Sequence, residues 1–162
     1  MTWNPVVDWS SEDVFNLHRA QGIPLHEAYG LGSTRLSCNF CVLSSINDLT
    51  IASEQAQNLD TYLELVRMES RFGFSFQPSR WLGDVRPDLL GEALRADLTR
   101  AKKTAMDRKN AEERYPEAYR ARRYGEMDDS AWRQVQQIRT ELGAIIGMKN
   151  FAKDPRPALG LG

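Results

Sequence analysis

The sequence predicts a mainly α protein, and three observations carry that prediction. Apolar residues recur at three- and four-residue spacing over several stretches. Those stretches are separated by Pro and Gly at Gly22-Ile23-Pro24, Gly30-Leu31-Gly32, Gly73, Pro78, Gly83, Pro87, Gly125 and Pro155-Arg156-Pro157. No segment shows a convincing period-two run of β-branched residues, so any strand should be short and lie before Trp9 or near Phe74 to Phe76. At 162 residues, 41% hydrophobic and 27% charged, the chain is sized for one domain or slightly more.

Taken in order, Ser10 or Ser11 caps a short helix over about Glu12 to Gln21. Acidic residues fill its first turn and Gly22 ends it. A second helix is expected from roughly Asn47 to Gln57. In a third, Leu59, Tyr62, Leu63 and Val66 mark one face, and Phe72-Gly73 closes it. Leu90, Leu94, Leu98, Ala101 and Ala105 form a narrow apolar stripe on a fourth, which Pro116 interrupts or restarts. Asp128 to Ser130 caps a last helix that buries Trp132, Val135, Leu142 and Ile146.

Charge divides the chain unevenly. Lys and Arg total 21 against 22 Asp and Glu, a net charge of −1, so the chain as a whole attracts neither phosphate backbones nor anionic lipids. Residues 86–124 nevertheless carry 11 basic and 7 acidic groups. In that block Lys102, Lys103, Arg108, Lys109, Arg114, Arg120, Arg122 and Arg123 are interleaved with Tyr115, Tyr119 and Tyr124, a pattern able to grip a nucleic acid. Asp107, Glu112, Glu113 and Glu117 dilute it at spacings suited to intrahelical ion pairs, and a solvated helix face is the better reading. No run approaches the roughly 18 apolar residues of a membrane span. The N-terminal residues lack the pattern of a signal peptide, so a cytoplasmic protein without membrane contact is expected.

Chemistry concentrates in residues 22–48. The only cysteines, Cys38 and Cys41, are too few and too close for a disulfide framework. Their two-residue spacing lets both thiolates reach one metal ion or cluster edge, or close a redox disulfide. One pair is half of a tetrahedral site; the remainder would come from His26, His18, a carboxylate or another chain. The alternative is two small buried residues in a turn. Arg35 is flanked by Gly30, Gly32, Ser33, Thr34 and Ser37, so a guanidinium, hydroxyls and turn amides are available together for a phosphate or sulfate. An ion pair of Arg35 with Asp13 or Glu27 is the competing reading. His26 could join the cysteines as a ligand, or fix the loop by a local hydrogen bond.

Three segments, Trp9-Ser10-Ser11-Glu12-Asp13-Val14-Phe15, Gly22-Ile23-Pro24-Leu25-His26-Glu27-Ala28-Tyr29 and Arg35-Leu36-Ser37-Cys38-Asn39-Phe40-Cys41, occur in an order that resembles the C-terminal part of the phosphoadenosine phosphosulfate (PAPS) reductase family. Asn47-Asp48-Leu49, Tyr62, Glu69, Gly73 and Phe76 look like the helices that follow the cysteine pair in its phage and bacterial reductase-like branch. The resemblance divides the chain into a reductase-like region, 1–85, with the cysteine turn, and a helical extension, 86–162. It implies the C-terminal helical portion of an α/β protein of the adenine nucleotide α-hydrolase type, lacking most of the nucleotide-binding sheet.

What the resemblance implies for function follows the same residues. An adenylated sulfate or ATP would be the substrate, with Arg35, Ser33, Ser37 and Tyr29 on the substrate side. Cys38, Cys41 and His26 would hold an iron–sulfur cluster or zinc; the related DNA phosphorothioation proteins carry a cluster near the corresponding cysteines. The family's Ser-Gly-Gly-Lys-Asp-Ser-like loop and its Glu-Cys-Gly-Leu-His-like tail are not among these residues, which close on Arg156-Pro157-Ala158-Leu159-Gly160-Leu161-Gly162. The expected partner is therefore a nucleotide-binding chain, or a second copy covering the same apolar surface around Trp3, Pro5, Val6, Val7 and Trp9. A non-catalytic helical interaction module descended from that family, binding a protein or nucleic acid, is the alternative.

Overall fold

The computed structural model describes residues 3–119 and 128–153 and is mainly helical. Among the described residues there are six α-helices and no strand; the only β pairing is an isolated bridge between Gln77 and Arg80. Phe74 to Phe76, the expected site of a short strand, is irregular. No described helix is long and apolar enough to cross a membrane. The chain separates within its fourth helix into two compact units, residues 1–62 and 63–162, whereas the family resemblance divides it at 85.

In the first unit, α1 (Ser11–Gln21) begins at a reciprocal cap. The Asp13 amide donates to the Ser10 hydroxyl at 3.2 Å, while the Ser10 amide donates to the Asp13 carboxylate at 2.8 Å. At its other end Gly22 takes φ +62°, a left-handed geometry that glycine adopts without a Cβ penalty. The Gly22 and Ile23 amides then close on the carbonyls of Arg19 and His18. The single-turn α2 (Glu27–Gly30) is capped by His26, and α3 (Ile46–Glu54) by Ser45. A 3-10 turn, Ala56–Asn58, leads into α4 (Leu59–Phe72). Leu49 and Tyr62 are fully buried, and the Phe40 ring stacks obliquely on Tyr62 at 5.8 Å between centroids.

The second unit closes around Val66, Leu82, Leu90 and Leu98, all buried. Gly83 sits so deep in this cluster that an added Cβ would lie 2.5 Å from Leu98 Cδ2 and 3.1 Å from Val66 Cγ1. The segment between α4 and the next helix is irregular, and its amides are satisfied by a side chain. Glu69, buried on α4, accepts from the amides of Phe76, Leu82 and Gly83 at 2.5, 2.8 and 3.2 Å. Burial pushes this carboxyl up, and Asp84 adds to the push. The three amides pull it down, and the balance stays above the ordinary glutamate value.

The long α5 (Glu92–Tyr119) packs against α6 (Asp129–Ile146). Trp132, Val135, Ile138 and Leu142 recur at helical spacing on the buried face of α6, and Ala111 of α5 joins Ile138 and Leu142. Each such side chain contributes on the order of 1.5–3 kcal/mol of apolar burial. The helix does not break at Pro116; it continues to Tyr119. Near a C-terminus a proline removes one amide bond and leaves most of the helix intact, which reconciles the residue with its position.

Candidate functional site

Five of the seven functional candidates, Ser33, Arg35, Ser37, Cys38 and Cys41, lie on the loop between α2 and α3, with His26 capping α2 and Tyr29 within it, and one carboxylate holds that loop in place. Asp48, buried in the first turn of α3, accepts from the Thr34 amide at 2.7 Å, the Thr34 hydroxyl at 2.8 Å and the Ser45 hydroxyl at 2.7 Å. Its own amide donates to Ser45 Oγ at 3.1 Å. Burial alone would raise the Asp48 carboxyl, but the bonds from Thr34 and Ser45 outweigh it and hold the group below the ordinary aspartate range. Asn47 adds a bond to the Gly32 carbonyl, and Asn39 reaches Asn58 at 2.7 Å. Sequence reading placed Asp48 within the family pattern without a role. The signal was present: Ser45-Ile46-Asn47-Asp48 has the spacing of a reciprocal cap.

Between loop and helix lies a cleft of about 450 Å³. His26, Ser33, Arg35, Ser37 and Cys38 line it, together with Glu27, Asn39, Asp48 and Gln55. Five of the seven residues proposed from sequence therefore share one cavity; Cys41 and Tyr29 stand outside it. Arg35 still reaches Cys41, its Nη2 lying 3.4 Å from Sγ. Neither cysteine is in a disulfide; Cys38 is exposed and Cys41 half-buried.

Three of the turn amides that the glycine and serine content offers as anion donors are taken. Those of Gly32, Ser33 and Thr34 are already spent on Tyr29 O, Ala28 O and Asp48. The Thr34 hydroxyl is bound to Asp48, and Ser37 Oγ donates to Cys38 O at 3.1 Å. What the turn offers an oxyanion is chiefly the Arg35 guanidinium, with the Ser33 hydroxyl beside it. Of the two carboxylates in the cleft, Asp48 is absorbed by its donors, and Glu27 opposes an anion.

Tyr29 belongs to a second cleft of about 360 Å³, where it meets Phe15 edge to face at 5.1 Å. Val14, Leu25 and Leu36 complete its apolar walls, with His18, His26, Ser11, Thr34 and Arg35 as polar members. Arg35 and His26 line both clefts.

The donor set does not make a complete metal centre. Among the described residues no three His, Cys, Asp or Glu side chains converge on one point. His26 Nδ1 accepts from the Ala28 amide at 3.1 Å, which in the neutral ring leaves the proton on Nε2, so ligation by that nitrogen would require giving up the cap. Two thiolates are half of a tetrahedral site.

In the basic block, Arg108 pairs with Glu112 at 3.6 Å and Lys109 with Glu113 at 3.8 Å. Arg100 pairs with Asp97, Lys102 with Asp84 and Arg114 with Glu141. Five of the described basic residues of this face are thus ion-paired; Arg120, Arg122, Arg123 and Tyr124 lie outside the described residues, as does the 154–162 tail. No protein-family model, curated protein or solved structure matches the chain, so a functional reading rests on its own residues and geometry.

Proposed function

We propose that this chain is the C-terminal subunit or portion of a PAPS reductase-like enzyme acting on an adenylated sulfate or a related adenine nucleotide, to which it contributes an oxyanion-binding arginine and a cysteine pair. One observation carries the reading: a cleft built by a firmly tied loop gathers Arg35, Ser33, Ser37 and Cys38, with the Arg35 guanidinium against the Cys41 sulfur. A guanidinium presents paired donors to a phosphate or sulfate oxygen pair. A nucleotide-binding chain would complete the pocket. In this reading an iron–sulfur cluster or zinc is held by Cys38 and Cys41 only where another chain supplies the missing donors.

The Arg35 reading is tested by calorimetric titration of sulfate and of ATP. Binding in the millimolar range is expected for one exposed guanidinium opposed by Glu27. Arg35→Ala should weaken it at least about tenfold with the melting temperature unchanged, and Glu27→Gln should strengthen it. Equal affinities in wild type and Arg35→Ala would remove Arg35 from the site.

The alternative, a helical interaction module, draws its support from the second unit. A groove of about 900 Å³ there is lined by Phe72, Phe74, Met148 and Phe151, the first three largely exposed, with Arg71 and Arg108 over the Phe72 and Phe74 rings. Exposed apolar side chains gathered in one groove are typical of a protein-docking surface.

A further inference from the structure

We propose that the second cleft of the first unit is a subsite for a flat apolar ring joined to the oxyanion that Arg35 holds, so that the ligand class is an aryl or heteroaryl ester of phosphate or sulfate. The inference rests on the proposed role of Arg35 as an oxyanion donor and extends its ligands beyond adenine nucleotides, whose ring is joined to phosphate through ribose. Arg35 lines both clefts, so one guanidinium is shared between a polar space and an apolar one. The polar cleft is lined by Glu27 and Asp48, whereas no carboxylate is among the described residues lining the apolar cleft, so an anion reaching Arg35 from that side meets less opposing charge. Leu25, Leu36 and Val14 are substantially exposed along this cleft, although the Phe15 and Tyr29 rings already form a rigid edge-to-face wall behind them. A planar ring buries such surface with little entropy loss. His18 adds a polar member to the lining of this cleft.

The test titrates inorganic phosphate, phenyl phosphate and phenol into the 162-residue chain. Phenyl phosphate should bind about tenfold more tightly than inorganic phosphate, as expected for burying one ring face, and phenol should bind weakly. Leu25→Ser and Leu36→Ser, both at exposed positions and each checked by melting temperature, should reduce that advantage to less than about threefold, and Leu25→Ser, which touches the second cleft alone, should leave inorganic phosphate unaffected. Arg35→Ala should weaken both anions. If inorganic phosphate binds through Arg35 but the ester is no tighter, the ring subsite is overturned and the Arg35 reading stands. An ester advantage that survives both leucine substitutions also overturns it, because the ring then sits elsewhere. If neither anion binds wild type, the Arg35 reading fails and the subsite fails with it.

Discussion

Two buried carboxylates, Asp48 and Glu69, do the same structural work by different electrostatics. Each ties an irregular segment to a helix by accepting several hydrogen bonds, and each would leave several donors unpaired if removed. Asp48→Ala and Glu69→Ala should each cost on the order of 2–4 kcal/mol by urea denaturation, since bonds to a charged acceptor contribute about 1.5–3 kcal/mol and part of the loss is recovered by water. Their pH signatures are opposite. The Asp48 carboxyl is held below its ordinary value of 3.8, so its contribution is complete above that pH and is lost as pH falls through the lowered value. Glu69 is raised above its ordinary 4.5, so its contribution is complete below that pH and is lost as pH rises through the raised value. Stability measured from pH 3 to 7 should therefore lose part of its acid-side slope in Asp48→Asn and part of its fall toward neutrality in Glu69→Gln. At Gly83 the constraint is space: a methyl group 2.5 Å from Leu98 Cδ2 should cost about 1–3 kcal/mol in Gly83→Ala, and a melting curve unchanged from wild type would contradict that packing.

Among the helices, the ones with local punctuation were the ones the sequence announced. Ser10, Asp13 and Gly22 fix both ends of α1 within a dozen residues, and Asp128 and Gly147 do so for α6. Asp128 Oδ1 accepts from the Ala131 amide at 2.8 Å, so Asp128→Ala should destabilise the second unit by about 1 kcal/mol, read as a shift in the unfolding midpoint. The expected 47–57 helix is instead α3 followed by a 3-10 turn, because the Asn58 side chain donates to Ala52 O and fixes a break there. What could not be read was the long-range pairing. Thr34 with Asp48 spans 14 residues and Glu69 with Leu82 spans 13, and periodicity carries no information about such bonds. The gathering of Arg35, Ser33, Ser37 and Cys38 was legible, since they are neighbours in sequence. The loss of the Ser33 and Thr34 amides to other acceptors was not, because it depends on where Ala28 and Asp48 come to lie.

The first unit carries a heavy load of exposed apolar side chains: Trp3 is 86% exposed, Leu43 75% and Val7 68%, with Trp9, Leu36 and Ile46 also exposed. We read this surface as an interface that the proposed nucleotide-binding chain or a second copy of this one would cover. The purified chain should bind a hydrophobic dye or self-associate in sedimentation, and a dye-negative monomer would favour the independent helical module. The most direct check on the account as a whole is a residue-resolved amide titration with sulfate, comparing wild type and Arg35→Ala. Saturable shifts should concentrate in Ser33 to Cys38 and the first turn of α3, and should vanish in the variant. Shifts confined to the basic face of α5, or none that saturate, would contradict an oxyanion site at Arg35.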